Sequence, residues 1–72
     1  TRGVLLDQAL KDCDAALTIS PDAPSLLDSR GRVLLQQGKP QDALASYERA
    51  LEKSPSQAAS LYGRGLARIA LG

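Results

Sequence analysis

Residues 9–21, ALKDCDAALTISP, and residues 43–55, ALASYERALEKSP, are two versions of one segment set 34 positions apart. At that offset Ala9 meets Ala43, Leu10 meets Leu44, Ala16 meets Ala50, Leu17 meets Leu51, Ser20 meets Ser54 and Pro21 meets Pro55. The agreement continues downstream, pairing Leu27 with Leu61, Arg30 with Arg64, Gly31 with Gly65 and Gly38 with Gly72. A repeat of about 20–50 residues fixes the architecture before any local pattern does, because one unit cannot bury its own apolar side and must stack on a copy.

Each period reads as two helices. Pro21 and Asp22 stop the first, with Asp22 placed to cap the next by accepting a bond from its free N–H groups. A helix over about 24–37 follows. Gly38 suits a left-handed C-terminal cap, and Pro40 suits the first turn of a helix over about 40–53, where its missing N–H costs nothing. The apolar stripe of that helix is Ala43, Leu44, Tyr47, Ala50 and Leu51, while Asp42, Glu48, Arg49 and Glu52 point elsewhere. One period earlier the stripe is Leu6, Ala9, Leu10, Cys13, Ala16 and Leu17, which puts Cys13 in the place of Tyr47 and predicts a buried, structural thiol. One period later Leu61, Gly65 and Ile69, with Tyr62 and Leu66 beside them, predict a helix over about 57–71. No segment alternates with strand periodicity. The expected fold is all-α: four antiparallel helices, with breaks near 20–23, 38–39 and 54–56, in a right-handed helix-turn-helix solenoid.

Composition agrees with thin layers. Aromatics stop at Tyr47 and Tyr62, and there is no Phe, Trp or Met, so Ala and Gly are expected to let helices approach closely without large side chains between them. A single core in 72 residues is worth only about 3–5 kcal/mol. The net charge of +1 supplies no field for nucleic acid or a membrane surface. Charge is nonetheless uneven. Residues 1–28 hold Arg2 and Lys11 against Asp7, Asp12, Asp14, Asp22 and Asp28, a net −3, while the remainder is net +4, so successive layers could attract head to tail.

Catalysis has little to stand on. There is no His, no metal-ligand cluster, no Gly-rich phosphate loop after a strand and no nucleophile elbow; Cys13 has no base beside it and no second Cys to resolve it. Asp12 and Asp14 face different directions and read as a solvated face. No cofactor is expected. No run approaches the roughly 20 apolar residues that cross a bilayer, and no secretion signal opens the chain. A lone Cys needs no oxidising compartment; location stays open, leaning to the cytoplasm.

These residues resemble the tetratricopeptide repeat family. Leu27, Gly31, Leu34, Gly38, Ala43, Tyr47, Ala50 and Pro55 stand at the family's offsets. The resemblance covers the chain as half, one and half repeats within a single region over 1–72: a second helix over 1–21, a complete repeat over 22–55 and a first helix over 56–72. Arg30 and Arg64 stand where Leu usually precedes the Gly, giving a recurrent Arg-Gly pair that resembles bacterial members of the family. Arg68 falls where a large buried residue is expected, so its stem would pack and its charge snorkel. The chain opens on Thr1 and ends on Gly72 in mid-pattern, which reads as a piece of a larger protein.

What the resemblance implies is a scaffold that binds a peptide or protein segment in a concave groove lined by the first helix of each pair. Carried onto this chain, the groove residues are Ser25, Asp28, Ser29, Arg32, Leu35 and Gln36, then Ala59, Tyr62, Gly63, Leu66, Ile69 and Ala70. Tyr62 is the best single anchor, because an exposed aromatic buries much area for little lost rotamer freedom. Members that grip a terminal carboxylate do so with Asn, Lys and Arg; Ser29, Ala59 and Gly63 stand at the positions that align, so that clamp is not expected. RNA reading would need a basic groove, and this one is nearly neutral. The alternative role is a structural spacer bracing another domain. Exposed repeat ends further predict self-association through the helix holding Tyr62 and Leu66, or else marginal stability.

Overall fold

The computed structural model describes residues 2–72. It contains α1 (Arg2–Ile19), α2 (Pro24–Gln36), α3 (Pro40–Lys53) and α4 (Ala58–Leu71), with no strand among the described residues. Each helix packs on the next, and α2 also touches α4. The result is a slab of 34 × 33 × 15 Å. Its thin direction is little more than the roughly 10–12 Å diameter of one helix with its side chains, so few positions are covered on all sides.

The turns follow local chemistry with one exception. Gly38 takes φ +78, its N–H donates to the Leu35 carbonyl at 3.0 Å and the Lys39 N–H donates to the Leu34 carbonyl at 2.9 Å. Those two back-directed bonds satisfy carbonyls that the helix end would leave orphaned, and only Gly adopts that φ without strain. Pro40 then opens α3. The exception is Asp22, which does not cap α2. The N-cap is Ala23, without a side-chain bond, because Pro24 begins the helix and leaves Asp22 one residue too early to reach its free N–H groups. Its carboxylate instead pairs with Arg49 at 3.5 Å and Lys53 at 3.7 Å, tying the α1–α2 turn to α3. Arg49 also donates to the Pro21 carbonyl at 3.1 Å.

The core is Leu27, Leu34, Ala43, Tyr47, Ala50, Leu51 and Ala67. Small residues do bring the helices close, but one large side chain fills the space they leave: the Tyr47 ring is wholly buried and lies against Gly31 of α2 and Gly63 of α4. No protein group among the described residues bonds its hydroxyl. Burial, and then the Asp28 carboxylate, push the Tyr47 pKa up to about 12, against about 10 for a free tyrosine. Below pH of about 10 the phenol is neutral in folded and unfolded chains alike, so its packing contributes in full. Above that the unfolded chain ionises first, and stability is lost until pH about 12, at no more than about 1.4 kcal/mol per pH unit. Urea midpoints measured across that window should therefore fall more steeply for the parent chain than for Tyr47→Phe.

The stripe on α1 is less covered than its repeat partner on α3. Leu6, Ala9, Leu10, Cys13, Ala16 and Leu17 are half-buried, because among the described residues α1 packs on α2 alone while α3 packs on both α2 and α4. Cys13 is thus a half-buried free thiol, not a buried one. Partial burial first, then Asp14 and Asp12, raise its pKa above the ordinary value, leaving little thiolate to act as a nucleophile.

Candidate binding surface on α2 and α4

Helices α2 and α4 lie side by side, and the residues assigned to a groove divide into those that face water and those that hold the two helices together. On α2, Ser25, Arg32 and Gln36 are exposed and Ser29 and Leu35 half-buried. The Ser29 hydroxyl donates to the Ser25 carbonyl at 3.0 Å, one turn back on its own helix. On α4, Ala59, Tyr62, Leu66, Ile69 and Ala70 are exposed. Tyr62, Leu66 and Ile69 are spaced four and three apart, one stripe of a helix, with Tyr62 71% and Ile69 78% exposed.

Two assignments need correcting. Asp28 is buried, only 5% exposed, and does not present a free carboxylate. Its Oδ1 accepts from the Ser60 hydroxyl of α4 at 3.0 Å, and its Oδ2 faces Arg32 Nε at 3.4 Å. Ser60 in turn accepts from Gln57 Nε2 at 2.8 Å, and the same amide donates to the Pro24 carbonyl at 3.3 Å. A continuous chain of bonds thereby locks the start of α4 onto α2, and the buried charge is compensated on both oxygens. Gly63 is also buried, facing α3, because the Tyr47 ring occupies the space a side chain would need.

The sequence reading missed Gln57 and Ser60 altogether. Their counterparts one period earlier are Ala23 and Leu26, which cannot make these bonds, so periodicity carried no signal for them. Arg68, the counterpart of buried Leu34, is exposed and pairs with Glu48 at 3.9 Å. Asp14 is more than a solvated face: its Oδ1 accepts from Arg30 Nε at 2.8 Å.

With the geometry of two interlocked helical pairs in place, comparison with known families is decisive. Residues 29–72, more than half of the chain, match the tetratricopeptide repeat family. The chain belongs to that family. No curated protein and no solved structure matches it. Tetratricopeptide repeats generally mediate protein–protein interaction and are typically non-catalytic scaffolds. Among the described residues no helix is long and apolar enough to cross a membrane.

Proposed function

We propose that this tetratricopeptide repeat chain binds an extended or helical segment of a partner protein across the exposed face of α2 and α4. The observation that carries the reading is the open apolar stripe of Tyr62, Leu66 and Ile69 on α4; the adjoining α2 adds Arg32, whose side chain is 67% exposed while its Nε is held by Asp28. Large apolar side chains exposed in a row cost solubility, and a rigid aromatic among them is the usual energetic centre of an interface. Ser25, Ser29 and Gln36 supply hydroxyl and amide groups along the same helix for a partner backbone. Asp28 serves by fixing Arg32 and the α2–α4 spacing, not by touching the partner.

The test is selection of binding peptides on the chain from a displayed library, followed by titration of the selected peptides. Tyr62→Ala should weaken binding by roughly ten-fold or more, and Arg32→Ala by less, with helix content unchanged. Equal affinity of parent and variants would hand the role to bracing of a neighbouring domain, the alternative reading.

A further inference from the structure

The charges of this chain are sorted by helix. Of its eight acidic residues, α2 holds Asp28 alone and α4 none, and Asp28 is buried. The arginines of α2 and α4 are Arg30, Arg32, Arg64 and Arg68, and all but Arg32 turn toward carboxylates of the other two helices. Arg30 bonds Asp14 of α1, Arg68 pairs with Glu48 of α3, and Arg64 shares a depression with Glu48 and Glu52. Arg32 has only Asp28 as its counterion among the described residues. The face shared by α2 and α4 therefore exposes a guanidinium and no carboxylate.

Asp28 positions Arg32 without using it up. Its Oδ2 faces Arg32 Nε at 3.4 Å, and its Oδ1 is held by the Ser60 hydroxyl of α4 at 3.0 Å. The guanidinium is thus anchored from one side, over the seam between α2 and α4. That seam lies between two helices of the chain and is locked by their mutual bonds, so it is an inner feature of the fold and not an outer face. A guanidinium carries five N–H donors in a planar fork. With Nε turned to Asp28, the Nη1 and Nη2 edge has no acceptor among the described residues, and its spacing matches the two oxygens of a carboxylate. Because the anchor is buried, less rotamer freedom is left to lose when an anion arrives.

Granting that a segment binds across α2 and α4, on which this rests, we propose that the segment carries an Asp or Glu side chain whose carboxylate Arg32 takes end-on through Nη1 and Nη2. One guanidinium beside a buried carboxylate suits a single negative charge. A phosphate group, at about −1.5 to −2, would be left undercompensated. Arg32 stands third in the row Ser25, Ser29, Arg32 and Gln36, so a bound segment runs past it on both sides. An internal side chain fits that place and a chain terminus does not. Gln36, exposed one turn on, offers an amide donor to the same carboxylate. Leu66 holds on α4 the place that Arg32 holds on α2. Packed helices lie about 8–10 Å apart and an extended segment rises about 3.3 Å per residue. The acid and an apolar residue resting on Leu66 therefore lie about two or three positions apart in the segment.

Peptides selected on the chain from a displayed library should accordingly share an acidic position with an apolar residue at that spacing. Replacing the acid by its amide should weaken binding to the parent chain roughly three- to five-fold, as expected of an ion pair that stays partly exposed. On Arg32→Gln the same replacement should change nothing, and amidating the peptide C-terminus should change nothing on either chain. Added salt should weaken the acidic peptide more than its amide version on the parent chain, a comparison that needs no variant. Selected peptides without a recurrent acid, a loss as large on Arg32→Gln as on the parent, a loss reproduced by amidating the terminus, or equal salt dependence would each overturn the proposal. If Tyr62→Ala still weakens those peptides ten-fold, the groove stands and its carboxylate preference alone falls; peptides indifferent to both Tyr62 and Arg32 would remove both.

Discussion

Tyr47→Ala should leave the chain without a cooperative thermal transition at room temperature and above. Emptying a fully buried aromatic site costs about 3–5 kcal/mol, which equals the whole stability of about 3–5 kcal/mol that a core of this size supplies. Collapse of the surroundings would fill the site poorly, because two of the residues against the ring, Gly31 and Gly63, have no side chains to move inward, and two others in its cluster, Ala43 and Ala67, have only a methyl. Tyr47→Phe keeps the ring and removes a hydroxyl that no described protein group bonds, so it should stay within about 1 kcal/mol of the parent. Tyr62→Ala is the informative contrast. Its side chain is exposed, and substitutions of that kind usually change stability by less than about 0.5 kcal/mol. Far-UV circular dichroism against temperature reads all three, and a Tyr47→Ala melt within a few degrees of the parent would remove Tyr47 as the keystone of the packing.

The two tyrosines also mark what the sequence could and could not disclose. Helix order, the breaks, the left-handed Gly38 and the opening Pro40 were all legible, because each depends on local backbone chemistry or on a pattern repeated within the chain. Burial was less legible, because it depends on which neighbours a helix has. Leu27 and Leu61 hold the same place in the repeat, yet only Leu27 is covered, since α2 has helices on three sides and α4 on two. The same reasoning misplaced Asp28, whose position in the repeat matches that of exposed Tyr62. What buries Asp28 is the Ser60 hydroxyl from a helix further along the chain, a contact without a counterpart at any earlier repeat position. Gly63 was misread for the converse reason. Its counterpart is Ser29, so no recurrent glycine marked the site. A signal did exist: Tyr47 is replaced by Cys13 one period earlier, and the residue 16 positions after each is Gly63 and Ser29 respectively. The larger side chain goes with the smaller partner.

That pairing sets up opposite outcomes at two glycines in one helix. Gly65→Ala should stabilise the chain by about 0.5–1 kcal/mol, because alanine is the better helix former and the new methyl meets open space. Gly63→Ala should do the reverse. A methyl there would overlap the hydroxyl-bearing edge of the Tyr47 ring, and the ring has little room to retreat: a Cβ placed at Gly31, its other contact, would lie 2.7–2.9 Å from ring atoms. Overpacking of a tight core costs about 1–3 kcal/mol, and with rigid backbone on both sides the upper part of that range should outweigh the gain in helix propensity. For a domain of this size each kcal/mol moves the melting temperature by roughly 4–8 °C. Gly63→Ala should therefore melt roughly 4–20 °C below the parent and Gly65→Ala a few degrees above it, when both are measured at dilution so that association does not contribute. Equal shifts of one sign would mean that helix propensity governs both positions and that the ring is free to move. In that case the interlocking of α2, α3 and α4 through Tyr47 would not be what holds the repeat together.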